Sequence, residues 1–163
     1  MSFAERYGPW AVIAGASEGT GAEFARLAAE RGLSCVLVAR REGPLEILAE
    51  ELRDKHGVDC VTASVDLAKP DAADEIIGAA GERQVGLFIS NAGSDFNGSL
   101  FLDADLGAWM QLTQRNVITT LACCHHFAGP MRARGRGGLL LVRLTAAMRT
   151  TPSTARPRPT SSP

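Results

Sequence analysis

Short unbroken apolar runs alternate along this chain with stretches whose apolar residues recur every three or four positions. The runs are Trp10–Ala14, Ser34–Ala39 (SCVLVA), 58–65, Val85–Ser90 (VGLFIS) and 138–144 (GLLLVRL). Runs this short, rich in β-branched and aliphatic residues, predict strands buried on both faces. The periodic stretches between them predict helices. Residues 18–31 place Phe24, Leu27 and Ala28 at helical spacing, with Gly32 as the stop. Residues 44–56 align Leu45, Leu48 and Leu52 on one face, and Gly57 closes them. Residues 70–80 carry Pro70 near their start, where a missing N–H costs little. Residues 106–133 form a long helical stretch, interrupted near Gly129-Pro130.

Strands and helices in strict alternation imply an α/β fold with a parallel sheet covered on both faces. Right-handed crossovers then make the sheet doubly wound. The pattern stops before the end of the chain. The last fifteen residues, RTTPSTARPRPTSSP, hold four of the eight prolines, three arginines, no acid and no periodic apolar residue. Such a segment cannot add to a core, so residues 1–148 are expected to form the domain and 149–163 a disordered tail.

Length and composition narrow the functional classes. The 163 residues suffice for one domain with a core of its own. A net charge of −1 gives no general attraction to nucleic acid or to anionic membrane. No apolar run reaches the ~18 residues of a membrane span, and MSFAERYGPW lacks the basic-then-apolar pattern of a signal peptide. A cytoplasmic location is the default expectation. Cys35 and Cys60 lie in strand-like runs and read as buried thiols. The cluster Cys123-Cys124-His125-His126 looks like a metal site. Neighbours on a helix, however, point about 100° apart and do not converge on one ion, so no metal is expected.

The strongest chemical signal is the loop Gly15-Ala-Ser17-Glu18-Gly19-Thr20-Gly21 between the first strand and the first long helix. Glycines let the backbone turn sharply and approach a pyrophosphate, and the helix start offers free N–H groups and a partial positive charge to it. An ordinary glycine-rich turn is the alternative, but the strand–loop–helix–strand setting is the one the mechanism demands. The spacing Gly-x-x-x-Gly-x-Gly resembles that of the short-chain dehydrogenase/reductase family. Further stretches agree in order and distance. Asn91-Ala92-Gly93 after the fourth strand looks like that family's Asn-Ala-Gly motif. Asp66-Leu67 matches its adenine-contacting acidic position. Asn116, within RNVITT, matches its helix asparagine, and Gly137-Gly138 precedes the fifth strand. The resemblance covers about residues 8–142. It implies a Rossmann-like doubly wound sheet, a nicotinamide dinucleotide, and hydride transfer to or from a small carbonyl or secondary alcohol. It also implies that Asn116 holds a kinked helix backbone and a water of the proton relay. Relatives often pair through their long helices, which offers 106–133 as a homo-oligomer surface.

The second strand ends Val38-Ala39-Arg40-Arg41. NAD-preferring enzymes place Asp or Glu there for the ribose 2′-OH, whereas arginine suits a 2′-phosphate, to which it offers paired donors. NADP(H) is therefore expected over NAD(H), unless the arginines are simply solvated at a strand end.

At its C-terminal side the chain departs from the family. There, a Tyr acts as general acid/base, a Lys four residues on lowers its pKa, and a Ser about thirteen residues earlier orients the carbonyl. This chain has one tyrosine, Tyr7, and its last lysine is Lys69. The Ser position falls on Leu144 or on Thr145, whose hydroxyl would survive as a catalytic group; the Tyr position falls near Pro157 and the Lys position near Ser161. The family's final two strands and substrate loop are missing, leaving the expected sheet incomplete on that side. Arg143 interrupts a strand otherwise built for burial. The expectation is a product truncated by damage near its coding end, or else an evolved short protein. Three functions follow: an oxidoreductase by descent with impaired chemistry, a catalytically silent NADP-binding module, or a poorly folding fragment with an exposed apolar edge strand.

Overall fold

In the computed structural model, which describes residues 1–93 and 102–142, five of the apolar runs extend as strands. They are β1 (Trp10–Ala14), β2 (Ser34–Ala39), β3 (Cys60–Ser64), β4 (Val85–Ser90) and β5 (Gly138–Leu141). All pair in parallel, in the order β3-β2-β1-β4-β5. The intervening helices are α1 (Phe3–Tyr7), α2 (Gly19–Glu30), α3 (Glu42–His56), α4 (Ala72–Ala80), α5 (Leu106–Thr113) and α6 (Thr119–Ala133), with a π-helical turn at Gln114–Ile118 joining the last two. This is the doubly wound, Rossmann-like sheet that the alternation implies.

Alternate residues of β1 to β4 feed two separate cores, whereas Leu139, Leu140 and Leu141 of β5 are exposed rather than buried as the apolar run suggested. Ala11 and Ile13 of β1 and Cys35 and Leu37 of β2 face α2 and α3, where they meet Ala25, Ala28, Leu45, Leu48 and Leu52. Val12, Ala14, Val36 and Val38 face the other way, onto Ile76 of α4 and Cys123, Phe127 and Met131 of α6. Period-two alternation with both sets buried is what a parallel sheet sandwiched between helices requires. Phe88 of β4 anchors the second core; its ring lies 5.2 Å from that of Phe127. On the surface, Arg26 of α2 grips Glu51 of α3 through two bonds of 2.8 and 2.7 Å. Among the described residues no helix is long and apolar enough to cross a membrane.

Several elements depart from the sequence expectation. Leu27 is 44% exposed, and α2 packs instead through Gly21, Ala22, Ala25, Ala28 and Ala29. That small face brings the helix close to the sheet. Helix α3 starts two residues early, at Glu42, because Pro44 falls in the first turn, where its nitrogen has no helical partner to lose. Helix α4 starts two residues late: Lys69 and Pro70 belong to a turn and Asp71 is the N-cap. Strand β3 is confined to Cys60–Ser64. The long helical stretch is not interrupted at Gly129-Pro130. Pro130 lies inside the final turn of α6, where one missing N–H is tolerated, and the irregularity sits at Gln114–Ile118. Gly57 closes α3 in the left-handed conformation, φ +65°. Strand β5 is described to Leu141; Arg143, Leu144, Thr145 and the 149–163 tail lie outside the described residues.

Two predictions follow from this packing. Phe88→Ala should cost about 3–5 kcal/mol of stability, read from urea unfolding, as expected for a buried aromatic; a loss under about 1 kcal/mol would mean the second core is not packed as described. Burial pushes the Cys35 and Cys123 thiols up to about 12. Both should stay silent toward an aromatic disulfide in the native protein and react on unfolding, while half-buried Cys124 reacts first. Fast native reaction of Cys35 would contradict the fold.

Candidate functional site

The connections leaving β1 and β4 travel to opposite sides of the sheet, because β2 and β5 flank that central pair. A crevice opens where they part, at the carboxyl ends of the strands, and in open α/β sheets this is the ligand position. Backbone bonds fix both lips. The N–H groups of Gly15 and Ala16 donate to the Val38 carbonyl of β2 at 2.8 and 3.1 Å. Those of Asn91 and Ala92 donate to the Ala14 carbonyl at 2.9 and 3.1 Å. Each loop therefore leans on the strand beside its own.

Glycine is needed at two of the loop positions. Gly15 has φ +86°, and a Cβ there would stand 2.7 Å from the Ala92 nitrogen. A Cβ on Gly21 would overlap the Gly15 carbonyl oxygen. The first turn of α2 is thus pressed onto the loop, and the Asn91 side chain locks the contact by donating to that same carbonyl at 3.3 Å. Gly19 also has positive φ, +56°, but nothing lies within 4 Å of its would-be Cβ. Its open side belongs to a cleft of about 410 Å³ that is also lined by Ser17, Glu18 and Thr20. Glu18 is the N-cap of α2, yet its side chain caps nothing, so the leading amides of the helix are not taken by it.

The far wall of the cleft comes from the ends of β2 and β3. Arg40 and Arg41 line it, with Asp66, Leu67 and Arg115. Arg41 is not merely solvated: its Nη2 donates to Glu18 Oε2 at 2.6 Å, across the mouth of the cleft. The Arg40 guanidinium makes no ion pair among the described residues, and the Arg40 carbonyl accepts from the Ser64 hydroxyl at 3.0 Å. Asp66 Oδ1 accepts from the Ala68 N–H at 3.1 Å, which sets the turn after β3. The Leu67 carbonyl accepts from the buried Thr119 hydroxyl at 3.0 Å, tying that turn to α6.

Ala92 and Gly93 continue from this cleft into a second one of about 370 Å³. Asn116 reaches it from the π-helical turn. Widening the helix by one residue rotates that side chain relative to a regular α-helix, and such turns occur often at functional sites. Asn116 Oδ1 is buried and has no hydrogen-bond partner among the described residues. It would lie 2.9 Å from a Cβ on Gly93, so a glycine there keeps the approach open. Deeper in, Ser90 Oγ and Thr120 Oγ1 are 3.0 Å apart. Sequence reasoning missed Ser90, Thr119, Thr120 and Arg115; their only signal was position, at the end of an apolar strand and beside Asn116. The structure brings the candidates from Gly15 to Gly93 to line one crevice, except Gly21, which packs behind the loop on the Gly15 carbonyl, and places Asn116 in the adjoining one. Thr145 is outside the described residues.

This arrangement fits a dinucleotide: two glycines that let the start of α2 press onto the loop, helix amides that Glu18 leaves uncapped, and arginines at the far end of the cleft. Comparison with known proteins agrees. The family model described as short chain dehydrogenase matches residues 9–155. The 7beta-hydroxysteroid dehydrogenase of Collinsella aerofaciens is 31% identical over 152 residues, covering 93% of this chain and 57% of that enzyme. The very-long-chain 3-oxoacyl-CoA reductase of Laccaria bicolor is 34% identical over 143 residues, covering 86% and 42%. Among solved structures, a 7beta-hydroxysteroid dehydrogenase superposes with a TM-score of 0.82 at 32% identity, over 86% of this chain and 54% of that one. L-sorbose reductase from Gluconobacter frateurii, complexed with NADPH and L-sorbose, gives 0.76 at 29% identity, over 83% and 52%. The chain thus spans about half the length of the relatives it matches.

The glycine geometry predicts unequal costs. Gly19→Ala should lose about 1–2 kcal/mol, the strain of a side chain at positive φ. Gly21→Ala should lose more, because a backbone carbonyl must move. Urea unfolding of both variants decides it, and equal losses would contradict the close approach of α2 to the loop.

Proposed function

This chain belongs to the short-chain dehydrogenase/reductase family, and from that premise we propose that its crevice binds a nicotinamide dinucleotide, NADP(H) in preference to NAD(H). The observation that carries the reading is the pairing of the Gly15/Gly21 cradle with two arginines at the end of β2. In this reading Gly15, Ser17, Gly19, Thr20 and Gly21 receive the diphosphate through backbone N–H groups and the α2 dipole. Asp66 and Leu67 flank the adenine, and Asn91, Ala92 and Gly93 bear on the ribose of the nicotinamide half. Arg40 takes the 2′-phosphate, with Arg41 and Glu18 beside it. The bound cofactor supplies or accepts a hydride, and the substrate class is a carbonyl or secondary alcohol. Asn116 presents its carboxamide toward the second cleft, where its oxygen, unpartnered among the described residues, accepts a hydrogen bond from a bound hydroxyl or water.

Acid–base chemistry is the weak side of this chain. Its one tyrosine, Tyr7, packs beside Gly86 and Gly138, at the amino ends of β4 and β5 and so at the opposite end of the sheet from the crevice. No lysine follows Lys69. These 163 residues are therefore proposed to bind cofactor with impaired turnover. The partners in this proposal are the dinucleotide, a small carbonyl or alcohol, and a second copy through the long helix of 106–133. We further propose 1–148 as the dinucleotide-binding domain.

Titration with NADPH and NADH, followed by nicotinamide fluorescence, tests the first part. NADPH should bind more tightly, and Arg40→Ala should weaken NADPH by about tenfold to a hundredfold, the loss of a charge-assisted hydrogen bond, while sparing NADH. Binding of neither dinucleotide would overturn the reading. Ketone reduction by this chain should run at least ~10²–10⁴ below a full-length family member, the contribution of one general acid; comparable rates would show that another group in these residues supplies the proton.

A further inference from the structure

The Glu18–Arg41 pair is placed oddly for a simple surface salt bridge. Glu18 stands at the N-cap of α2, where a carboxylate would gain from bonding the leading amides of its own helix. Its side chain makes no such bond. It reaches instead across the cleft mouth to Arg41, the N-cap residue of α3, at 2.6 Å. Both side chains remain well exposed, at 76% and 59%, so the pair is screened by water and opens at little cost. Arg40, its neighbour, holds no ion pair among the described residues. The end of β2 thus offers the cleft one guanidinium without an ion pair among the described residues, that of Arg40, and one that already carries an anion, that of Arg41.

We propose that Glu18 is a specificity-determining residue whose carboxylate occupies Arg41 in place of the cofactor 2′-phosphate. This inference rests on the NADP(H) reading above. NADP(H) then binds by exchanging one anion for another on Arg41: the phosphate oxygens take the guanidinium and the Glu18 carboxylate turns back to solvent. NAD(H), which has no 2′-phosphate, leaves the pair closed. Glu18 also stands as a like charge beside the incoming phosphate. It lowers the affinity for NADP(H) without touching that for NAD(H), and so narrows the discrimination that Arg40 and Arg41 would otherwise give.

The test compares the native chain with Glu18→Gln, an isosteric change at an exposed position, using NADPH, NADH, 2′-phospho-ADP-ribose and ADP-ribose in calorimetry, with no turnover required. Glu18→Gln should tighten NADPH and 2′-phospho-ADP-ribose by about twofold to fivefold, the range of exposed, screened charges, and leave the two unphosphorylated ligands unchanged. Its affinity for NADPH should fall more steeply with salt than the native chain's, because one more positive charge is uncompensated. Arg41→Ala should cost more NADPH affinity in the Glu18→Gln background than alone. Weaker NADPH binding by Glu18→Gln would overturn the inference, since Glu18 would then be orienting Arg41 for the phosphate. Equal shifts for phosphorylated and unphosphorylated ligands would also overturn it, placing Glu18 at the shared diphosphate. Either failure, on a native chain that prefers NADPH, leaves the NADP(H) reading standing. A native chain that binds neither dinucleotide overturns both.

Discussion

Strand β1 pairs with β2 on one side and β4 on the other, and its five residues are the hinge of the architecture. Ala11, Val12 and Ile13 have no exposed surface, so the strand can sit only in the middle of the sheet, under helices on both faces. That position fixes where the chain must part. One connection leaves its carboxyl end toward β2, and the loop after β4 leans back on its last carbonyl. The crevice is a consequence of that geometry rather than an addition to it. The Gly21 contact with the Gly15 carbonyl then brings the start of α2 to the crevice edge. A larger residue at either position would push the helix dipole away from the place where an anion can use it.

The polar groups follow from the same frame. Because β2 and β3 end level with β1, their last residues rim one side of the cleft. This puts Arg40, Arg41 and Asp66 within one cavity although a whole crossover, through α3, separates the arginines from Asp66. On the other side, the π-helical turn hands Asn116 to the second cleft, and Thr119, one turn on, bonds the Leu67 carbonyl and holds the first cleft to α6. The two clefts share Ala92 and Gly93, as a bound molecule with a recognition end and a reacting end would require.

Much of this was legible in the chain. β1, β2 and β4 were readable to the residue, because continuous apolar runs with glycine or charge at their ends leave few alternatives. The glycine spacing and Asn91-Ala92-Gly93 located the crevice before any geometry was known. What escaped has physical causes. Leu27 looked like core because periodicity counts apolar residues and ignores size; the sheet-facing side of α2 is made of alanines. Gly129-Pro130 looked like a break, but a proline within the last turn of a helix loses only one bond. The π-helical turn carries no composition signal. The Glu18–Arg41 pair joins residues 23 positions apart, and no local pattern announces that the arginine arrives with an anion already attached.

The central claim is that the crevice at the ends of β1 and β4 is the dinucleotide site. Amide hydrogen exchange with and without saturating NADPH tests it most directly, because it reports where the ligand sits without requiring catalysis. The account predicts added protection in the peptides spanning Gly15 to Gly21, the end of β2 at Arg40 and Arg41, the turn at Asp66 and Leu67, and Asn91 to Gly93, with none around Tyr7 and β5. Protection centred elsewhere, for example around Tyr7 and β5 at the other end of the sheet, would contradict it.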